Sequence, residues 1–227
     1  LAACSGEFVT LYDAEDRPHP LQLIEAWQRF ERESDQVACL QAPLVVTNIA
    51  QSGISRMFAF EYSGLFRGFL PWLARCNLVT PLGGTSNHFR MSALRKVGGW
   101  DPYNVTEDAE LGLRLRRYGY RTGTLAYPTL EDGPEDVKTW FPQRVRWFKG
   151  WLQTWLVHMR HPAVLRQELG LRNYLVMQVL YLGMVLSALV HPVVLGTLFL
   201  AALRLTMVDE TALDVVLLIF AGVCVAG

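Results

Sequence analysis

The sequence predicts an α/β domain that leads into a helix lying along a membrane surface and then into membrane-spanning helices. Three observations point there. Short β-rich runs alternate with helical ones through the first part of the chain, the pattern of an α/β sheet. From Thr139 the texture changes to "TWFPQRVRWFKGWLQTWLVHMRHP", where tryptophans and basic residues interleave. From Tyr174 to Leu203 there is no Asp, Glu, Lys or Arg, over more than the ~20 residues that cross a bilayer.

The elements follow in order. Phe8 to Tyr12 is a β-rich run that ends in acids and is stopped by Pro18 and Pro20. Leu21 to Arg32 has helical spacing. "VACLQAPLVVTN" is a second strand candidate, interrupted by Pro43, which cannot donate to a ladder. Ile54 to Leu73 mixes aromatics with Arg56, Glu61 and Arg67 in a mainly helical pattern. Gly83, Gly84, Gly98 and Gly99 punctuate the next stretch as loop, helix and loop.

"NVTEDAELGLRLRRYGYR" then opens a further helix. Thr106 suits the N-cap, and Glu107 and Asp108 sit favourably against the positive end of the helix dipole. Leu111, Leu115 and Tyr118 recur at helical spacing, with Gly119 as the stop. On this segment alone, helix initiation explains the two acids as well as chemistry does. "RTGTLAYPTLEDGPED" reads as a short strand and a turn-rich connection.

At 100° per residue, Trp140, Trp147, Trp151 and Trp155 fall within about 80° of one another on one helix face. Beside basic residues and just ahead of an apolar run, that face is expected to lie in a membrane interface. The apolar run contains His191-Pro192, so it is expected to be one kinked helix or two shorter pieces. Val215 to Gly227 reads as the start of another span. Arg144, Arg146, Lys149, Arg160, Arg166 and Arg172 precede the first span while Asp209, Glu210 and Asp214 follow it, which places the N-terminal part in the cytoplasm. The expected layout is an α/β domain over 1–138, an interfacial segment over 139–172 and a membrane region over 173–227.

Lys plus Arg and Asp plus Glu number 21 each, which argues against bulk affinity for nucleic acid. Cys4, Cys39, Cys76 and Cys224 are far apart with no CxxC pair, so neither a zinc knuckle nor a disulfide framework is expected. No signal peptide is visible, and a chain that opens on Leu1 and stops inside an apolar run is expected to be part of a longer protein. His158 and His161, three apart on a helix, lack nearby acids and read as interfacial residues rather than metal ligands. Asn104-Val105-Thr106 is a glycosylation sequon that a cytoplasmic placement would silence.

Two clusters carry chemistry. Asp13, Glu15 and Asp16 crowd the end of the first strand; three acids in four residues repel one another and are accommodated around Mg²⁺ or Mn²⁺, although a solvated acidic turn explains them in isolation. In "QRVRW", arginine offers a bidentate fork for phosphate and tryptophan a face for a sugar or base. Arg144 and Arg146 point to different sides of a helix, and Arg144 is equally well read as a membrane-surface cation.

"DAED", "GGTSNHFR", "GGWDPYNVTED" and "QRVRW", in this order ahead of apolar helices, resemble the membrane-bound family 2 glycosyltransferases of the cellulose synthase and chitin synthase type. The resemblance implies the C-terminal part of a Rossmann-like GT-A domain. It also implies inverting transfer of a sugar from a nucleotide sugar, first of all a UDP-sugar, to a growing β-linked polysaccharide or a lipid-linked acceptor. Asp108 of the TED motif would be the general base, and Asp13 with Glu15 or Asp16 the DxD-type site for Mg²⁺ or Mn²⁺. Glu107, Gln143, Arg144, Arg146 and Trp147 would contact substrate, with Arg146 near the donor diphosphate and Trp147 near the acceptor. Ser86 and Asn87 would line the acceptor loop. The acid that holds the uridine base in such enzymes would lie ahead of Leu1, so this stretch alone is expected to be inactive.

Overall fold

The computed structural model describes residues 4–207. Two sheets form the scaffold. In the first, of order β1-β5-β3-β6, β1 (Phe8–Leu11) and β3 (Val37–Gln41) flank β5 (Asn87–Arg90) antiparallel, and β3 pairs parallel with β6 (Arg121–Thr124). In the second, β7 (Thr129–Glu131) runs between β2 (Arg17–Pro18), antiparallel to it, and β4 (Leu44–Val46), parallel to it. The segment read as one interrupted strand is thus two strands in two sheets. Pro43 marks the crossing, and its carbonyl accepts from Thr129 N–H at 2.9 Å.

β5 falls in the stretch that the glycines mark as loop, helix and loop, and its Asn87, His88 and Arg90 are poor strand residues. All are buried and satisfied. His88 bonds Thr10 Oγ1 at 2.9 Å and Gln22 Oε1 at 3.2 Å, and Arg90 Nε donates to the Val37 carbonyl. Burial drives the His88 imidazole down to about 4, so it stays neutral.

The helices are α1 (Gln22–Arg32), α2 (Gly53–Ser63), α3 (Leu70–Arg75), α4 (Met91–Lys96), α5 (Glu107–Arg117), α6 (Val137–His158), α7 (Pro162–Met177) and α8 (Gly183–Met207). A π turn at Gly64–Phe69 joins α2 to α3, and another at Gln178–Leu182 joins α7 to α8. Both lie in runs that the sequence marks as helical.

α5 is the hub. Leu111 and Leu115 pack against Ala38, Cys39, Phe89 and Leu94 of the first sheet's layer. Leu113, on the other side, packs with Val79, Leu165, Leu169, Met177 and Tyr181. These three leucines are fully buried, worth about 2–3 kcal/mol each. Tyr118, the third predicted apolar position, is 52 % exposed. Gly119 ends the helix at φ +84°, where a side chain would be strained.

The apolar C-terminal helix spans Pro162–Ala201 as a membrane candidate by length and composition. It passes through His191-Pro192 unbroken; its irregularities are Gly170 (φ 72°) and the π turn. The predicted run at Val215 to Gly227 lies outside the described residues. Cys4, Cys39 and Cys76 are free thiols.

Candidate active site

Three elements converge on a cleft of about 760 Å³. One wall is the acid turn after β1. Asp13 N–H donates to Asp16 Oδ2 at 3.0 Å and to Thr85 Oγ1 at 3.1 Å, while the Thr85 hydroxyl donates to Asp16 Oδ2. One oxygen of Asp16 is therefore spent on the turn, and Asp13 and Glu15 line the cleft beside it. Burial raises the Asp13 carboxyl, helped by Asp16, Glu15 and Glu107.

The second element is the first turn of α5. Asp108 lies mostly buried, with Oδ1 accepting from Ala109 N–H at 2.7 Å and Oδ2 against Gly84, where an added Cβ would stand 3.3 Å away. Desolvation pushes its carboxyl up to about 6, with Glu107 and Asp13 adding to the rise and the Ala109 N–H opposing it. Thr106 occupies the N-cap position but makes no side-chain cap bond, contrary to expectation. Its N–H donates to Asn104 Oδ1 at 3.0 Å, and its side chain is buried under α6. Gly150 lies so close that a Cβ there would come within 2.4 Å of Thr106 Oγ1, so only glycine lets α6 ride on the Thr-Glu-Asp step. Asn104, the sequon residue, is buried and donates to Thr154 Oγ1 at 2.9 Å.

α6 supplies the third element. Gln143, Arg144, Arg146 and Trp147 all line the cleft. Arg144 makes a two-pronged bond to Glu61, at 2.5 and 2.6 Å, and its guanidinium lies 4.8 Å from the Trp147 ring centroid and 5.3 Å from that of Phe58. It braces Trp147. Arg146 forms no ion pair among the described residues and is exposed in the cleft. Gln143 Oε1 is buried without a partner. The tryptophan face turns towards the protein: Trp147 and Trp151 line the cleft, and Trp151 and Trp155 pack on the cluster around Leu113. The outward face carries Phe141, Leu152 and Leu156 beside exposed Lys149 and Arg160.

Ser86 and Asn87 do not reach the cleft. Ser86 Oγ donates to Thr129 Oγ1 at 2.6 Å and Asn87 Nδ2 to the Gly83 carbonyl at 2.6 Å, both fully buried; Gly83, Gly84 and Thr85 present the loop instead. Small residues drew attention to this loop, but the side chains that hold it lie one layer below its surface.

Glu131, at the carboxyl end of β7, belongs to no motif that the sequence marks. It lines the cleft, and burial together with Asp16, Asp13 and Glu15 pushes its carboxyl up to about 7. Its position after a strand was the available signal, masked by reading "TLEDGPED" as a turn. His158 is buried rather than interfacial. It bonds Glu110 Oε1 through Nε2 at 3.1 Å and accepts at Nδ1 from Arg117 at 2.8 Å, since a guanidinium can only donate. Burial acts to raise the Glu110 carboxyl, but the bonds from His158 and Arg114 outweigh it and hold the group low.

Among the described residues no three His, Cys, Asp or Glu side chains gather into an ion cage. Mg²⁺ and Mn²⁺ do not need one, because one or two carboxylates suffice when substrate phosphates and water complete the shell. Asp13, with Glu15 or Asp16, offers oxygen donors whose mutual repulsion a cation would relieve, so the residues fit such an ion. A second cavity, about 620 Å³, is lined by Glu7, Asp35, Arg90 and Lys96 and contains none of these groups.

The frame is of the GT-A-like α/β class, with a carboxylate, a cluster of acids and an exposed arginine facing one cleft. The chain belongs to the glycosyl transferase family group 2, whose sequence model matches residues 8–226. A probable glycosyltransferase of Bacillus subtilis, YdaM, is 26 % identical over 155 residues, which is 66 % of this chain and 36 % of that protein. The UDP-forming cellulose synthase catalytic subunit of Xanthomonas axonopodis is 30 % identical over 164 residues, 67 % of this chain and 21 % of that one. The β-monoglucosyldiacylglycerol synthase of Synechocystis is 32 % identical over 107 residues, 45 % of this chain and 22 % of its own. The chain thus spans between a fifth and just over a third of the length of these relatives. A solved mannosyltransferase of Pyrobaculum calidifontis, in complex with GDP-Man and Mn²⁺, shares the fold with TM-score 0.54 at 18 % identity, covering 99 % of this chain and 62 % of that one.

Proposed function

We propose that the protein of which this chain forms part is a membrane-embedded, inverting glycosyltransferase that moves a sugar from a nucleotide sugar, first of all a UDP-sugar, to a growing β-linked polysaccharide. The observation that carries this reading is the shared cleft: Asp108, the Asp13 cluster and Arg146 face one space. An acceptor hydroxyl is a weak nucleophile near neutral pH. Asp108, with its carboxyl near 6, is ionised there yet basic enough to take the hydroxyl proton as attack proceeds. Direct displacement by that hydroxyl inverts the anomeric carbon.

When bound at Asp13 and Glu15 or Asp16, Mg²⁺ or Mn²⁺ supplies positive charge to the departing diphosphate. Arg146 supplies more from the opposite wall. Gln143 lines the cleft with an amide that can bond a sugar hydroxyl, and Trp147, braced by Arg144, offers a stacking face. Glu107, next to the base, sits where a further hydroxyl would be bound.

A lipid acceptor is the second reading. Met184, on the apolar helix, lines the same cleft with Phe58, Leu65 and Phe66, so the cleft has an apolar end beside the candidate span. The length and composition of that helix, and the Phe141–Leu156 face of α6 beside Lys149 and Arg160, support membrane embedding with α6 at the interface, and the basic residues ahead of the span favour a cytoplasmic catalytic part. The test is incubation of the full-length protein in membranes with UDP-glucose, UDP-N-acetylglucosamine and GDP-mannose separately, followed by product analysis. A β-linked glycan from an α-linked donor supports the proposal; a glycolipid moves the conclusion to the second reading. Nucleotide binding without transfer from any donor would mark an inactive scaffold.

A further inference from the structure

The residue that follows Asp108 is held from both sides. Ala109 N–H donates to Asp108 Oδ1 at 2.7 Å, and the Ala109 carbonyl accepts from the Tyr181 hydroxyl at 2.6 Å. Tyr181 lies in the π turn Gln178–Leu182 midway along the apolar helix, between α7 and α8, fully buried, with its ring 4.7 Å from that of Trp151. Val79, Leu113, Leu165 and Met177 pack around its ring, and the charges of Glu110 and Asp108 act on its hydroxyl. A phenylalanine would fill that space, so the hydroxyl's contribution is the bond to Ala109. From the same turn, Gln178 Oε1 accepts from Trp155 Nε1 at 2.7 Å, which ties the turn to α6 as well. π turns recur at functional positions because the extra residue redirects side chains.

We propose that the Tyr181 hydroxyl is a positioning group for Asp108. It pins the first turn of α5 to the π turn of the apolar helix, so that the carboxylate meets the acceptor at one angle. Tyr181 does not line the cleft and touches no reactant. The inference rests on Asp108 being the base, as proposed above.

The test compares Tyr181→Phe, Asp108→Asn and the double variant in the full-length protein, in detergent with Mn²⁺ and the accepted donor. Misplacing a catalytic group by 1 Å can cost about a hundredfold, and loss of one anchoring bond should cost kcat about tenfold. Donor and acceptor KM should stay within about twofold, and the residual rate of Asp108→Asn should not fall further in the double variant. Wild-type kcat in Tyr181→Phe, alongside a disabled Asp108→Asn, overturns the positioning role and leaves the base intact. Equal fractional losses in both backgrounds overturn it too, since the hydroxyl is then merely structural. An Asp108→Asn protein as fast as wild type overturns the base and this inference together. If Tyr181→Phe is recovered poorly, single-turnover rates normalised to bound nucleotide give the same comparison on the folded fraction.

Discussion

Asp108→Asn keeps the shape of the side chain, including the oxygen that accepts from Ala109, and removes its charge. Folding raises the carboxyl from 3.8 to about 6. At about 1.4 kcal/mol per unit, ionised Asp108 costs the fold about 2–3 kcal/mol. The sign follows from a folded-state value above the unfolded one. The group's penalty is absent below about 4, grows as pH rises through the interval to about 6, and is constant above. Asparagine carries no such penalty. In full-length protein with EDTA, so that no bound cation lowers the carboxyl, the variant should match wild type at pH 4. At pH 7.5 it should melt higher, by roughly 2–5 °C in a protein of that length. Transfer measured with Mn²⁺ should fall about 10²–10⁴-fold in kcat. A variant that melts at or below wild type at pH 7.5, or that turns over within tenfold of it, refutes the argument that a buried, destabilising carboxylate is retained for catalysis.

Gly150→Ala would drive a Cβ into Thr106, and overpacking of this kind should cost about 1–3 kcal/mol and lower kcat; Thr106→Ala should restore part of the stability in a thermal melt. Arg144→Ala should raise acceptor KM about tenfold by freeing Trp147, and Arg144→Lys should not rescue it, because lysine cannot make the two-pronged bond to Glu61. Chelation of divalent cations should abolish transfer, and Asp13→Asn should weaken Mn²⁺ binding, measured with bound nucleotide, by about a hundredfold or more. The kcat/KM profile should fall about tenfold per pH unit below a midpoint near 6, since protonation of Asp108 removes the base; a flat profile down to pH 5 contradicts that assignment.

Helices with strong spacing were legible in the sequence: α1, α5, the α2–α3 run and the long apolar helix all stand where periodicity places them. β5 was not, since its Asn87, His88 and Arg90 become strand residues only through partners on β1, β3 and α1, which local propensity does not encode. The same limit applied to the tryptophan face: its angular spread on α6 was correct, but the sequence does not say which side the protein occupies, and Leu113 and Tyr181 draw the rings inward. The acids of the site were visible as motifs, whereas Glu131 and Tyr181 act through distances across the fold. Ser86 and Asn87 mark the converse case, conspicuous in sequence and buried beneath the loop they shape.

A structure of the full-length protein with Mn²⁺ and an unreactive UDP-sugar tests the central claim most directly. The ion should sit on Asp13 with Glu15 or Asp16, the diphosphate within reach of Arg146, and the anomeric carbon facing an acceptor hydroxyl that Asp108 can deprotonate. A nucleotide sugar bound elsewhere, such as the cavity beside Arg90 and Lys96, or bound with Asp108 turned from the sugar, contradicts it.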